Sequence, residues 1–172
     1  MKVLTKDAAA SLLNAGAVDT FVRLRSEQLH LAGPAYTIPS DTGAKTALAK
    51  FLAYLLLKQP EVCVYLTGWS LRPCSEHLDL FYGYRLAAGE MRPLSEAPVH
   101  LFDRTASDAL VSVLCMVFYF ALDACVFDLE GKTMIRIGHD GRIEIRADHP
   151  GDIVDFAANP EKYLTPFVAI AA

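Results

Sequence analysis

The apolar residues of this chain change period along its length. Over residues 41–58, Ala44, Leu48, Phe51, Leu52 and Leu55 recur at three- and four-residue spacing, and Lys45, Lys50 and Lys58 fall between them. That is the period of an amphipathic helix with one buried face. Ser40 stands where an N-cap is wanted, and Pro60 blocks continuation. A second long helix is predicted over 105–122. "TASD" opens it with a polar residue and an acid three residues on. The run that follows is apolar nearly all round, so this helix should be covered on more than one side. A shorter first helix is predicted over 5–15, capped by Thr5 and ended by Gly16, and "GDIVDFAANPEKYL" reads as a closing helix that stops before Pro160.

Other stretches favour strands. "EVCVYLTGW", residues 61–69, is apolar on both faces, as a central strand is. "EAPVHLF" and "ACVFDLEG" are shorter extended runs, and residues 18–25 alternate at their end. Gly33, Pro34 and Pro39 make residues 33–39 extended or turning. The segment 77–86 fits either state. Leu78, Leu80, Tyr82 and Tyr84 alternate with Asp79, Phe81 and Gly83, and the aromatics with a mid-run glycine favour a strand.

The clearest local signal is "MIRIGHDGRIEIRAD". A two-residue Asp140-Gly141 turn would set Ile137 opposite Glu144. A three-residue loop, His139-Asp140-Gly141, pairs Ile137 with Ile143, Ile135 with Ile145 and Arg136 with Glu144. It also places glycine where such a loop needs a left-handed residue. Pattern, turn chemistry and charge agree on the longer loop. The C-terminal hairpin is therefore expected over 133–147, with His139 at its tip. Its outer face would carry Arg136, Arg142, Glu144 and Arg146, a solvated edge guarded by charge.

Mixed helices and strands with one antiparallel hairpin give an α+β fold in a single domain, 1–172. A mostly antiparallel sheet is expected, with the helices at about 41–58 and 105–122 on one face. Composition agrees. The chain is 53% hydrophobic and 21% charged, a globular balance at the apolar end. Its net charge of −4 offers no excess of cations for phosphates, so no nucleic acid is expected as a partner. The longest apolar run, residues 109–122, is shorter than the ~20 residues a membrane-spanning helix requires. Lys6 and Asp7 interrupt any leader-like segment. Of four cysteines, Cys63, Cys115 and Cys125 lie in apolar runs and Cys74 lies in "RPCSEH". They read as reduced thiols in a cytoplasm-like compartment.

Motif chemistry is sparse. "GAKTAL" lacks the glycine spacing of a phosphate loop, "TGWSLRP" lacks the second glycine of a nucleophile elbow, and the cysteines and histidines have no metal-ligand spacing. No cofactor and no metal are expected. The best catalytic lead is the strand reading of 77–86, which puts His77, Asp79 and Arg85 on one face as acid–base group, orienter and anion clamp. The best binding lead is the hairpin, with Arg136, His139, Arg142 and Arg146 as candidates for docking an acidic partner. Trp69, "LDLFYGYR", a buried helix and "IGHDGRIEI" together resemble uncharacterised bacterial proteins, a resemblance that transfers no residue roles. The expectation is a small binding, adaptor or immunity-type protein without catalysis. The alternatives are a small enzyme acting on an anionic or carbonyl substrate, and a self-associating protein whose tail "LTPFVAIAA" meets a second copy.

Overall fold

The computed structural model of the chain describes residues 1–12, 35–68, 75–147 and 165–166. Among the described residues, eight strands form one antiparallel sheet in the order β1-β4-β3-β5-β6-β7-β2-β8. They are β1 (Lys2–Leu4), β2 (Ala35–Thr37), β3 (Glu61–Gly68), β4 (Val99–Asp103), β5 (Asp123–Asp128), β6 (Thr133–Ile137), β7 (Arg142–Ala147) and β8 (Thr165–Pro166). The helices are α1 (Lys6–Ala10), α2 (Thr42–Leu56), α3 (Ser75–Ala87) and α4 (Ser107–Tyr119), the last entered through a 3-10 turn at Arg104–Ala106. The chain is an α+β protein, as its periodicities require.

One face of the sheet, with Val62, Val64, Leu66, Ala124, Val126, Ile135, Ile137, Ile143 and Ile145, packs against α2 and α4 in a single apolar core. The Tyr119 hydroxyl at the end of α4 donates to the Thr42 carbonyl at the start of α2 (2.8 Å), so the two helices run antiparallel. On the other flank of α4, Tyr84 of α3 donates to the Ala109 carbonyl (3.1 Å). His77 of α3 stacks on Phe120 just past the end of α4, ring centroids 4.3 Å apart. Neighbours on two sides and a sheet beneath explain why α4 is apolar nearly all round. The opposite sheet face buries Cys63, Tyr65, Val99, Leu101, Cys125, Phe127 and Met134, with Ala9 of α1 against them.

Several expected boundaries shift for identifiable reasons. Asp41 rather than Ser40 caps α2, accepting from the Ala44 N–H at 2.8 Å. Asp103 rather than Thr105 opens the turn before α4, accepting from the Thr105 N–H at 2.9 Å. A carboxylate one or two residues from each expected cap satisfies the same orphan donors and adds charge at the positive end of the helix. Thr5 caps α1 as expected. The helix ends at Ala10 with Ser11 as its C-cap, short of the expected residue 15; Gly16, residues 18–25 and the closing helix after Gly151 lie outside the described residues.

The strand reading of 77–86 is corrected: the segment is the helix α3. Phe81 and Arg85 are fully buried four residues apart, with His77 and Tyr84 beside them, while Leu80, Tyr82 and Leu86 are exposed. Burial follows 77-81-84/85, a helical stripe, and the alternation of tyrosines and leucines does not correspond to inside and outside. Gly83 is exposed with nothing near it, so it costs only helix propensity, about 1 kcal/mol.

The hairpin has the expected register: Ile137 with Ile143, Ile135 with Ile145, Arg136 with Glu144. Gly141 has φ +79°, the left-handed bend that the three-residue loop demands. Its position in the sheet differs from expectation. β7 is not an edge, because β2 pairs along it with Tyr36 opposite Ile143. What reads in sequence as a solvated edge face is an interior strand, and Glu144 is 1% exposed.

Candidate functional site

The catalytic lead from the sequence does not assemble. With α3 a helix, Asp79 leaves the face of His77 and Arg85, and those two are held by different partners. His77 lies flat on Phe120, Asp79 is exposed, and Arg85 is fully buried. Arg85 donates to the carbonyls of Ala97 and Arg92, each at 2.9 Å, and so fastens the loop between α3 and β4 onto the helix. It is a structural clamp. Below Arg85 lies His100 of β4, fully buried, with the Phe81 ring edge-on at 5.7 Å. Burial, then the Arg85 guanidinium, hold the His100 imidazole down to about 4, against a weaker pull from the Val64 and Pro98 carbonyls. His100 is therefore a neutral core residue at physiological pH.

The hairpin residues do converge, except one. Arg146 donates to the Gly131 carbonyl (3.3 Å) near the β5–β6 turn, at the far end of the hairpin from the loop. Arg136, Arg142 and His139 come together at the loop end. The Glu144 carboxylate sits between two guanidiniums, 2.6 Å from Arg142 Nη2 and 3.6 Å from Arg136 Nη1. A buried carboxylate needs such pairing to stay ionised. The loop is tied internally as well: Gly138 N–H donates to the Arg142 carbonyl (2.8 Å), and Arg142 N–H to the Asp140 side chain at Oδ1 (3.0 Å). Asp140 is the turn residue its position suggests.

One partner was not visible in the sequence. Asp123, at the start of β5, receives the His139 backbone N–H (2.9 Å), and both its oxygens lie 3.0 Å from His139 Nδ1. A carboxylate only accepts, so Nδ1 carries the proton and Nε2 is the ring atom left for other contacts. Gly68 lies opposite Asp123 across a register shift in the β3–β5 pairing, and a side chain there would stand 3.1 Å from Asp123 Oδ2. The absence of a Cβ at residue 68 lets the carboxylate lie over that strand. The available signal was an acid immediately after a helix end, sixteen residues before a histidine in a turn. Such a pair is specific only once the β5–β6 register is known.

His139 lines two cavities, and the loop lies between them. A small one of about 90 Å³ lies on the α1 side of the sheet, among Asp123, Arg136, Arg142 and Glu144. A larger one of about 280 Å³ lies on the long-helix side, where the loop meets Ile38, Ser40, Lys45 and the end of α4. The α4 end is shaped by Ala121, at φ +50°, and by a Leu122 N–H to Val117 carbonyl bond of 3.0 Å, the arrangement that normally uses glycine.

Elsewhere the chemistry is quiet. Cys63, Cys115 and Cys125 are free thiols, and burial pushes Cys63 and Cys125 up to about 12, so neither is a nucleophile at neutral pH. Among the described residues, no group of histidine, cysteine and carboxylate side chains is placed to hold a metal, and no helix is long and apolar enough to cross a membrane. Cys74 and the tail with Phe167, Val168 and Ile170 lie outside the described residues. No known protein family, curated protein or solved structure matches the chain. The site therefore rests on its own geometry.

Proposed function

We propose that this chain is a small binding module, of adaptor or immunity kind, that recognises its ligand at the hairpin-loop end of the sheet. One observation carries the reading: the loop holds a histidine oriented by a carboxylate, and that histidine borders a cavity on each face of the sheet. A side chain locked by a second residue presents a fixed hydrogen-bonding atom, which is what recognition requires. Hydrogen exchange by mass spectrometry, with and without a clarified extract of the source cells, tests it. Protection is expected over 38–45 and 138–142, and is expected to vanish in His139→Ala. Protection confined to other segments, or unchanged in the variant, would overturn it.

The same pair favours a second reading, a small enzyme acting on an anionic or carbonyl substrate. A carboxylate on Nδ1 leaves Nε2 as a base aimed by its partner, the arrangement used for proton abstraction. His139 then takes the acid–base role and Asp123 the orienting role first given to His77 and Asp79. Turnover of 4-nitrophenyl acetate should fall at least tenfold in Asp123→Asn; equal rates in the two proteins would dismiss this reading.

A further inference from the structure

The larger cavity has a chemistry of its own. Ile38, Val117, Phe118 and Ala121 give it apolar walls. Lys45 is the cationic side chain among its lining residues, His139 a neutral imidazole, and Asp140 its carboxylate. The Lys45 ammonium lies 5.6 Å from the centre of the Tyr119 ring, and no carboxylate of the described residues pairs with it. It is half-buried in the first turns of α2. The groups on the loop have the opposite preference. His139 Nε2 accepts, because Asp123 fixes the proton on Nδ1, and the Asp140 carboxylate accepts. The cavity thus offers a positive charge, apolar walls and a pair of acceptors.

Resting on the recognition reading above, we infer that this cavity binds a small carboxylic acid with an apolar body and a hydrogen-bond donor on its far side. The carboxylate pairs with Lys45, with the Ser40 hydroxyl beside it. The body lies along Val117 and Phe118. A hydroxyl donates to His139 Nε2. A volume of about 280 Å³ is at the lower limit of small-molecule sites, roughly 300 Å³, and suits a single ring or a short chain. Substrates of this class are hydroxyaryl or hydroxyalkyl carboxylates.

Three probes separate the contacts: 4-hydroxyphenylacetate, phenylacetate and tyramine, each titrated calorimetrically into the full chain and followed by amide chemical shifts. 4-Hydroxyphenylacetate should bind most tightly, with shifts at residues 38–45, 117–121 and 138–141. Lys45→Gln should weaken it at least tenfold and leave tyramine unchanged. His139→Ala should make 4-hydroxyphenylacetate and phenylacetate equal. Thermal melting of each variant confirms that it is folded. Tyramine binding as well as the acids, a Lys45→Gln variant of undiminished affinity, or shifts in other segments would each overturn the assignment. If no probe binds while the extract still protects 38–45 and 138–142, the ligand class is wrong and the recognition site stands. If both fail, the site itself is wrong.

Discussion

His100 makes the sharpest quantitative expectation, because its environment has one outcome for a proton. The imidazole is fully buried in the core, edge-on to Phe81, with the Arg85 guanidinium as the charge that acts on it most strongly. Burial and that cation both disfavour the protonated form, and lower the group from 6.5 to about 4. In the unfolded chain the ring returns to its ordinary value. Between pH 6.5 and 4 the unfolded state therefore binds a proton that the folded state refuses, so acid favours unfolding. The stability from this site is intact above pH ~6.5 and is lost progressively as the pH falls to 4. The gap between 6.5 and about 4, at about 1.4 kcal/mol per pH unit, amounts to about 3 kcal/mol. That is a large fraction of a domain stability of roughly 5–15 kcal/mol. Urea unfolding of the native chain and of His100→Phe, at pH 7 and at pH 4, isolates it. Other titrating groups cancel in the difference, and Phe carries no proton. The variant should gain about 3 kcal/mol relative to the native chain on going from pH 7 to pH 4, whatever its stability at pH 7. Parallel pH profiles would refute the argument, and would mean that the folded protein protonates His100 as easily as the unfolded chain does.

Other expectations concern turns and caps. The Asp128 carboxylate is 1% exposed and accepts the N–H groups of Glu130, Lys132 and Thr133 at 2.8, 3.2 and 2.6 Å. Asp128→Ala strands these donors and should cost about 3 kcal/mol in denaturant unfolding; a loss below ~1 kcal/mol would mean that water replaces it. Ala121→Gly relieves a left-handed backbone at the end of α4 and should raise stability by about 0.5–1 kcal/mol, read as a higher melting temperature. An unchanged or lower melting temperature would show that the freedom glycine adds to the unfolded chain outweighs the relief. Gly68→Ala crowds Asp123 Oδ2 and should speed hydrogen exchange of the His139 amide. Unaltered exchange would mean that the carboxylate keeps its place.

What the sequence revealed depended on whether a signal was local. The hairpin register is short-range: two pairs of isoleucines and one glycine define it, and the observed pairing matches residue for residue. The long helices follow for the same reason, since a repeated spacing is readable without its neighbours. The segment 77–86 misled because its tyrosines and leucines alternate, while its burial is set by α4 and the sheet, which the segment does not contain. Arg85 illustrates the limit. A guanidinium in an exposed-looking charge cluster is fully buried because two loop carbonyls converge on it. The site was half legible. Arg136, His139 and Arg142 belong together through the hairpin alone, but Asp123 joins them through β5, Lys45 through α2 and Ser40 through the segment that precedes it. The hairpin's supposed outer edge was misjudged for the same reason: β2, which covers it, lies a hundred residues earlier.

That distant pairing gives the protein an order of assembly. β1 pairs with β4 and β2 with β7, so both N-terminal strands find partners that emerge from the ribosome roughly a hundred residues later, a non-local closure of the kind that slows folding. The strands from Glu61 to Ala147 form a contiguous antiparallel block, β4-β3-β5-β6-β7, that pairs without them. β2 docks only once Arg142–Glu144 exist, and the walls from Ile38 and Lys45 reach the His139 loop at the same moment. A chain truncated before β7 thus lacks the His139 loop and the pairing that brings Ile38 to it, and so lacks the larger cavity.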